Sequence, residues 1–351
     1  MKALVLEADK KLKFVTDRSV PKEEVPNSSL VRVAACGICG SDIPRGFGGK
    51  AYHYPLVMGH EFSAVVEEPA KGSKFKSGDR VAVFPLLQCG KCGPCQTGDY
   101  AQCVNYNYFG SRCDGGFEEL LRVPEENLFA VPKEVNLLHA SMTEPAAVAL
   151  HGIRKLHIKA GDTAIVFGAG PIGNLAAQWL RIHGCSQIFI VDIDERKLEL
   201  AAKMGFIPIN SKEKDPVKEV TERTNGAGAD RSVEACGLPV TFLQAVQATA
   251  RFGEVLFMGN IMGTFQIGEK DFSNILRKEL AIYGTWNSKV TPVGSDDWTT
   301  VLRFMDRGLE IAPLITDRLP LEEGPAIFDE IVGRRGFHNK VIFDITPKVN
   351  S

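Results

Sequence analysis

The sequence predicts an α/β protein in which a mostly antiparallel β region is followed by a doubly wound parallel sheet. Residues 1–150 contain short runs that alternate apolar and polar side chains between Gly, Pro and Lys turns, such as Leu30–Ala34, Phe62–Glu67 and Arg80–Phe84, and this pattern is typical of antiparallel strands. Beyond residue 150, strand-like and helix-like segments alternate, which indicates a parallel sheet. A chain of 351 residues, 44% of them hydrophobic, can bury such cores without disulfides.

The alternating region begins with the apolar strand Thr163–Phe167 and a helix that ends near Gly184, because glycine is common just past a helix end. Further strands are predicted at Gln187–Val191, Ile207–Ile209, Arg231–Glu234, Glu254–Met258 and Leu280–Gly284. Helices are predicted between them at Glu195–Met204, Pro216–Thr224 and Thr241–Ala250. We expect residues 151–288 to form one domain.

The alternation stops after about residue 288. Helices are predicted at Asp296–Arg307 and Leu321–Val332, and a strand at Lys340–Asp344. This tail is short for an independent domain. We therefore expect residues 289–351 to pack onto residues 1–150 and to complete the other domain.

Charge and composition exclude several classes of protein. Lys and Arg number 41 and Asp and Glu 43, which gives a net charge of −2 and argues against nucleic acid or an anionic membrane as the main partner. The apolar start is too short for a signal peptide, and the uncharged run Thr163–Leu180 contains too many glycines and amides for a membrane helix. Nine cysteines, an odd number, disfavour a disulfide framework. We expect a cytoplasmic protein.

A glycine-rich turn predicts a dinucleotide site. It joins the first strand of the alternating region to its helix and consists of Gly168, Ala169, Gly170, Pro171, Ile172 and Gly173. Such a turn brings backbone N–H groups and the helix N-terminus to a pyrophosphate. Asp192 closes the next strand, where a carboxylate can bind the adenosine ribose and repel a 2′-phosphate. No Arg directly follows it, Arg196 being four residues on, so NAD is favoured over NADP.

Four cysteines predict a structural metal site. They are Cys89, Cys92, Cys95 and Cys103. Four thiolates at this spacing can enclose one tetrahedral Zn²⁺ with no open position for substrate. An iron–sulfur cluster is the alternative, because four cysteines also hold iron. Cys113 lies beyond this group and is expected to be a bystander.

A second, dispersed set has the composition of a catalytic zinc site. Cys39 and Ser41 stand in one glycine-rich turn, His60 and Glu61 are adjacent, and Glu144 precedes a proline. Cys, His and carboxylate together can hold zinc with one position left for substrate. A lone His beside a Glu is more often a satisfied polar pair, so this hypothesis depends on the combination with the nucleotide site. Cys36-x-x-Cys39 could also be a redox pair, although the thioredoxin-like context of such pairs is missing.

These motifs together resemble the zinc-dependent medium-chain dehydrogenase/reductase superfamily of alcohol and polyol dehydrogenases. The resemblance covers the whole chain and includes G-I-C-G-S-D from residue 37, G-H-E from residue 59, the four cysteines, D-G-G-F from residue 114, E-P from residue 144 and G-A-G-P-I-G. It implies a GroES-like catalytic domain formed by residues 1–150 and 289–351, and a Rossmann domain formed by residues 151–288. It also implies NAD, two Zn²⁺ per chain, and a homodimer or homotetramer.

The resemblance also implies residue roles. Cys39, His60 and Glu144 would be ligands of the catalytic zinc, and Glu61 would support them or exchange with them. Ser41 would contact the substrate oxygen and pass its proton on. Many relatives have a histidine near the position of Pro44 for a proton relay, so here the path would run through Ser41 and water.

Three further segments resemble dehydrogenases of galactitol 1-phosphate: residues 54–63, 110–117 and 275–280. They imply oxidation of a secondary hydroxyl of a polyol phosphate. Arg45 or Arg112 could grip the phosphate, or each could instead pair with a nearby carboxylate, Asp42 or Asp114. The alternatives are an unphosphorylated polyol such as sorbitol, another secondary alcohol, or a zinc-ribbon binding protein whose nucleotide domain is a sensor.

Overall fold

The computed structural model describes residues 1–22, 27–291 and 296–345. The chain divides into two compact units, of which the first contains Met1–Glu144, Lys289–Arg307 and Ile315–Ser351. The second contains Pro145–Ser288 and Gly308–Leu314. Within the described ranges, no helix has the length and apolar character needed to cross a membrane.

The strands are numbered in chain order. In the first unit they are β1 Ala3–Ala8, β2 Lys11–Val15, β3 Ser28–Gly37, β4 Leu56–Val57, β5 Glu61–Glu68, β6 Arg80–Val83, β7 Leu86–Leu87, β8 Asn107–Tyr108, β9 Leu120–Pro124, β10 Leu128–Ala130, β17 Asp317–Leu319 and β18 Val341–Asp344. In the second unit they are β11 Thr163–Phe167, β12 Gln187–Asp192, β13 Ile207–Asn210, β14 Ala229–Glu234, β15 Thr249–Phe257 and β16 Ala281–Gly284.

The α-helices are α1 Asp42–Phe47, α2 Gly93–Gln96, α3 Leu137–Ala140, α4 Thr143–Ile153, α5 Pro171–His183, α6 Glu195–Lys203, α7 Pro216–Arg223, α8 Pro239–Ala248, α9 Glu269–Arg277, α10 Asp297–Phe304 and α11 Gly324–Val332. Most predicted boundaries agree with these to within two residues. The helices that were not predicted are α1, α2, α3, α4 and α9.

The ten-residue strand β3 organises the first unit. It pairs antiparallel with β5, β9 and β18 in a seven-stranded sheet, and the small sheet β2-β1-β4 accompanies it. Aromatic side chains form much of the core, with Phe117 packing edge to face on both Phe328 and Phe343. Because β18 pairs with β3, residues Val341–Asp344 join the same sheet as a strand from the first 40 residues of the chain.

The second unit is a six-stranded sheet in the order β13-β12-β11-β14-β15-β16, and all its pairs are parallel. Its central strands are continuous apolar runs, as expected for strands covered on both faces; Ile165, Phe167 and Phe189 are fully buried. The strand order reverses beside β11, which leaves a crevice at the carboxyl ends of β11 and β14. The doubly wound parallel sheet is therefore confirmed.

Candidate active site and nucleotide-binding loop

Strand pairing brings three candidate metal ligands together. Cys39 lies just after β3, and His60 and Glu61 lie where β5 begins. The antiparallel register pairs Gly37 with Glu61. The ligand atoms of Cys39, His60 and Glu61 consequently all lie within 4.8 Å of one another.

The D-G-G-F motif positions the turn before His60. Its backbone N–H groups donate to Val57, Gly59 and Met58 in turn, at 2.9, 2.8 and 3.0 Å. Gly59 has φ +92°, and a Cβ there would lie 2.6 Å from the Phe117 ring. Only glycine fits such a left-handed, crowded position, so this contact fixes where His60 enters the site.

Asp42 hydrogen-bonds one of the three prospective ligands and lies close to a second. It is fully buried, and its carboxylate accepts a hydrogen bond from the Cys39 backbone N–H at 2.9 Å. The same side chain lies 3.6 Å from His60 Nδ1 and accepts from Arg45 at 2.5 Å. Sequence reasoning treated Asp42 only as a partner for Arg45; its place three residues after Cys39 was the available signal for a role at the site.

A buried lysine neutralises Glu61. Lys340 Nζ donates to Glu61 Oε2 and to the Ile38 carbonyl at 2.9 Å, and only 3% of each charged side chain is exposed. Burial alone would lower the pKa of Lys340, but the nearby acidic groups, Glu61 above all, outweigh burial and raise it. Sequence reasoning missed Lys340, because nothing local links it to a residue so far away along the chain.

Glu144 lies beside this set but is not one of the three mutually close groups. It is buried in the first turn of α4, and the Tyr108 hydroxyl donates to its Oε1 at 3.1 Å. Burial raises the pKa of Glu144 to about 7, with His60 lowering it and Glu61 raising it. The sequence expectation grouped Cys39 and His60 with Glu144, and the structure brings the Glu61 carboxylate within 4.8 Å of the ligand atoms of both.

The charges at this site suit a divalent cation. Thiolate, imidazole and carboxylate are the ligands that zinc prefers. Burial, followed by the charges of Glu61 and Asp42, raises the pKa of the Cys39 thiol. Asp42, Glu61 and Glu144 lie around this thiol, and although Lys340 pairs with Glu61 and Arg45 with Asp42, a metal ion of charge +2 would further favour the thiolate.

The four cysteines predicted to hold a structural metal also converge. Their sulfur atoms lie within 4.8 Å of one another, with 3.4 Å between Cys92 and Cys95, 3.8 Å between Cys92 and Cys103, and 4.0 Å between Cys89 and Cys95. Sulfurs around a tetrahedral zinc are about 3.8 Å apart, given Zn–S bonds of about 2.3 Å. Backbone N–H groups of Lys91 and Cys92 lower the pKa of Cys89 to about 6, which favours the thiolate.

The remaining candidates near the catalytic set differ in their surroundings. Ser41 is exposed before α1 and makes no capping hydrogen bond with its side chain. Arg45 is paired with Asp42 and is only 14% exposed. Arg112 lies 4.8 Å from the ring centre of Tyr52 and 4.2 Å from that of Tyr106, and it donates to the Tyr106 carbonyl.

Arg112 thus differs from Arg45 in that its positive charge is not paired with a carboxylate of the described residues. Among the residues that the structure describes, no carboxylate lies within ion-pair distance of Arg112. Two aromatic rings hold its guanidinium in place while leaving the charge unneutralised. Such a group can accept an anion without first breaking an ion pair.

The glycine-rich turn has the geometry of a phosphate cradle. Gly168 has φ +106°, and a Cβ on Gly173 would lie 1.7 Å from the Gly168 carbonyl oxygen. A Cβ on Gly170 would meet nothing within 4 Å, so the turn is open there, and Pro171 and Ile172 begin α5 behind it. An open turn in front of a helix N-terminus is an arrangement suited to binding a diphosphate.

Asp192 lies against this turn. Its Oδ2 accepts from the Ala169 N–H at 2.9 Å and its Oδ1 from the Ile193 N–H at 2.7 Å. Asn174, which the sequence did not indicate, donates to the Ala169 carbonyl at 2.6 Å and fixes the turn from the helix side. The predicted ribose ligand and the predicted phosphate turn are therefore adjacent.

Comparison with known proteins agrees with this geometry. The alcohol dehydrogenase GroES-like domain matches residues 25–133, and the zinc-binding dehydrogenase domain matches residues 171–307. Galactitol 1-phosphate 5-dehydrogenase of Escherichia coli strain K12 is 32% identical over 346 residues, covering 97% of this chain and 99% of that protein. (R,R)-Butanediol dehydrogenase of Bacillus subtilis strain 168 is 34% identical over 320 residues, covering 86% and 88%.

Solved structures show the same similarity. Galactitol-1-phosphate dehydrogenase from Escherichia coli matches with a TM-score of 0.91 at 31% identity, covering 98% of this chain and 100% of that one. A zinc-binding dehydrogenase from Sinorhizobium meliloti 1021, solved with NADP, matches with a TM-score of 0.88 at 28% identity, covering 98% and 99%. The chain belongs to the zinc-binding alcohol dehydrogenase family and is an oxidoreductase with a GroES-like and a Rossmann fold. The resemblance inferred from its motifs is confirmed.

Proposed function

We propose that the protein is a zinc-dependent NAD oxidoreductase that oxidises a secondary hydroxyl of a polyol phosphate similar to galactitol 1-phosphate, and forms a ketose phosphate. The observation that carries the proposal is the convergence of Cys39, His60 and Glu61 in a chain 32% identical to galactitol 1-phosphate 5-dehydrogenase over 97% of its length. Residues 1–150 and 289–351 are assigned the catalytic role, and residues 151–288 bind the nucleotide.

Two zinc ions per chain follow from the two ligand sets. The four-cysteine set is closed and stabilises its loop. In the other set Cys39 and His60 are ligands, and Glu61 and Glu144 are the two carboxylates that compete for a further position. A zinc ion bound there supplies Lewis-acid polarisation of the substrate hydroxyl.

The chain's own residues orient this chemistry. Asp42 fixes the Cys39 backbone, Lys340 holds one Glu61 oxygen, and Tyr108 holds one Glu144 oxygen. The Ser41 hydroxyl makes no capping hydrogen bond, so it can accept the proton that leaves the substrate hydroxyl and pass it to water. When bound, NAD would supply the hydride acceptor, and the Asp192 carboxylate would accept hydrogen bonds from the hydroxyls of its adenosine ribose.

The phosphate is assigned to Arg112 rather than to Arg45. Arg45 already has Asp42 as its ion-pair partner, whereas aromatic rings hold the guanidinium of Arg112. A guanidinium can bind a phosphate with two parallel hydrogen bonds. The butanediol dehydrogenase relative, at 34% identity, favours the second candidate function, the same oxidation of an unphosphorylated polyol or secondary alcohol.

The experiment compares kcat/KM for galactitol 1-phosphate and galactitol, following NADH absorbance, in the wild type and in Arg112→Gln. We expect a large advantage of the phosphorylated substrate that shrinks by about ten- to a hundredfold in the variant, because a charge-assisted hydrogen bond contributes roughly 1.5–3 kcal/mol. Arg223→Gln, which alters an exposed cation of α7, is the control. Equal values for the two substrates in the wild type would favour the second candidate.

A homodimer or homotetramer is also proposed. Strand β16 is the last strand of its sheet, so one of its edges lacks a strand partner among the described residues. Exposed apolar side chains adjoin it along the chain, including Leu276 at 64%, Ile282 at 39% and Trp286 at 54% exposure. An unpaired edge with apolar neighbours favours pairing with another chain, and we assign a second copy of this protein.

A further inference from the structure

Two cations lie within five residues of Asp192, in the first turn of α6. Arg196 and Lys197 follow the loop in which Ile193 and Asp194 connect β12 to this helix. A 2′-phosphate on the adenosine ribose distinguishes NADP from NAD, and a cation near the ribose carboxylate is what accommodates it. Whether these two cations are already paired with carboxylates therefore affects the preference for NAD or NADP.

Asp194 holds the guanidinium of Arg196 in a forked ion pair. Arg196 Nε donates to Asp194 Oδ1 at 3.0 Å, and Nη2 donates to Oδ2 at 2.8 Å. The same carboxylate accepts from the Arg196 backbone N–H at 3.1 Å and so caps α6. Hydrogen bonding with Arg196 lowers the pKa of Asp194, so the pair is charged at neutral pH.

The second cation is also engaged. Lys197 Nζ lies 3.9 Å from Asp192 Oδ2, and Asp192 lies against the glycine-rich turn through Ala169. Both cations of this turn thus face carboxylates two to five residues before them. An incoming 2′-phosphate meets the negative charge of Asp192 and a guanidinium whose Nε and Nη2 already donate to the Asp194 carboxylate.

We propose that Asp194 is a specificity-determining residue, which excludes NADP by withholding Arg196 from the 2′-phosphate. The inference rests on the proposed binding of NAD at the glycine-rich turn and adds a second residue to Asp192. Asp192 repels the extra phosphate, and Asp194 removes the group that could compensate for it. Releasing Arg196 should therefore strengthen NADP binding while leaving NAD binding nearly unchanged.

Equilibrium binding of NAD⁺ and NADP⁺ to the purified protein, followed by isothermal titration calorimetry, tests this directly. Asp194→Asn retains a side-chain oxygen for capping α6 but loses the charge. We expect NADP⁺ to bind about tenfold more tightly than to the wild type, as for one charge-assisted hydrogen bond, and NAD⁺ to change less than twofold. Asp215→Asn is the matched control, because Asp215 caps α7 in the same way through Val217 and Lys218, and it should change neither affinity.

The double variant Asp194→Asn/Arg196→Gln distinguishes the effect of the freed Arg196 guanidinium on NADP⁺ binding from the effect of losing the Asp194 charge. We expect it to return NADP⁺ affinity to the wild-type value. Two outcomes overturn the inference and leave the NAD proposal intact. One is a gain in NADP⁺ affinity that persists in the double variant. The other is an unchanged NADP⁺ affinity in Asp194→Asn, in a protein whose wild type prefers NAD⁺. Tighter binding of NADP⁺ than of NAD⁺ to the wild type contradicts the NAD proposal itself, and the inference with it.

Discussion

The pair formed by Lys340 and Glu61 shows how a single contact holds the candidate catalytic set. Both side chains are 3% exposed, and Lys340 also donates to the Ile38 carbonyl just before Cys39. Removing one partner of a buried pair leaves the other charge without compensation. Lys340 therefore supports the site and the fold together.

Lys340→Met should lower the free energy of unfolding of the metal-free protein by about 3–5 kcal/mol. The expected cause is the buried Glu61 carboxylate left without its cation. Urea denaturation after chelation measures the effect. Lys289→Met, which removes an exposed pair with Asp99, should cost at most about 1 kcal/mol; equal losses in the two variants would contradict the role given to Lys340.

The buried side chain of Glu118 should make the free energy of unfolding depend on pH, independently of the metal sites. Burial raises the pKa of Glu118 to about 8, with Asp114 raising it and Arg18 lowering it. In the unfolded chain a glutamate has a pKa of about 4.3, so the folded state holds an extra proton between these two values. The free energy of unfolding therefore falls as pH rises from about 5 to 8.

Glu118→Gln should flatten that part of the stability profile relative to the wild type, because the amide does not titrate and still accepts from Arg18. Urea denaturation at pH 5.5, 7 and 8.5 measures the slope. Glu119→Gln changes the half-buried neighbour and serves as the control. A slope in Glu118→Gln equal to that of the wild type would show that Glu118 ionises as an ordinary glutamate in the folded protein.

Among the elements, the turn between β11 and α5 has the strictest steric requirement. A Cβ at Gly173 would lie 1.7 Å from the Gly168 carbonyl oxygen, whereas one at Gly284 in β16 would meet nothing within 4 Å. Gly173→Ala should lower the free energy of unfolding by about 1–3 kcal/mol through overpacking and weaken NAD⁺ binding. Gly284→Ala should change neither. Calorimetric binding together with urea denaturation checks both, and an unaffected Gly173→Ala would refute the tight approach of strand and helix.

The elements also show how far the sequence could predict the fold. Strand β11 was predicted with its observed bounds because it is a continuous apolar run between turns. The end of α5 was predicted because a glycine, Gly184, follows it, and this residue has φ +119°. Helix α9 was not predicted, although its apolar residues Phe272, Ile275 and Leu276 recur at helical spacing; none of its residues is buried in the chain. Its apolar residues Phe272 and Leu276 remain 52% and 64% exposed.

The candidate site could be predicted only where its residues share a local motif. The four cysteines and the glycine-rich turn lie within short segments, so their spacing indicated their chemistry. The contacts of Lys340 with Glu61 and of Tyr108 with Glu144 join distant parts of the chain, and they arise from strand pairing that no local pattern encodes. For the same reason the sequence could not decide whether Glu61 or Glu144 joins Cys39 and His60 in a group of mutually close ligand atoms.

For the whole molecule, the proposed self-association gives a further test. Ile282→Lys places a charge on the unpaired edge β16 and should yield a species of about half the wild-type mass in light scattering. Val240→Lys, at a position of α8 that is 57% exposed, is the control and should keep the wild-type mass. An unchanged mass in Ile282→Lys would assign the interface to another surface.

The central claim is that one metal site serves the reaction and a separate one serves the fold, and zinc content measured together with NADH formation tests it most directly. The wild type should contain two zinc ions per chain. Cys39→Ser should contain one, keep its melting temperature nearly unchanged and form no NADH, whereas Cys92→Ser should melt at a lower temperature because the structural metal's binding energy is folding energy. Two zinc ions or undiminished NADH formation in Cys39→Ser would contradict the account.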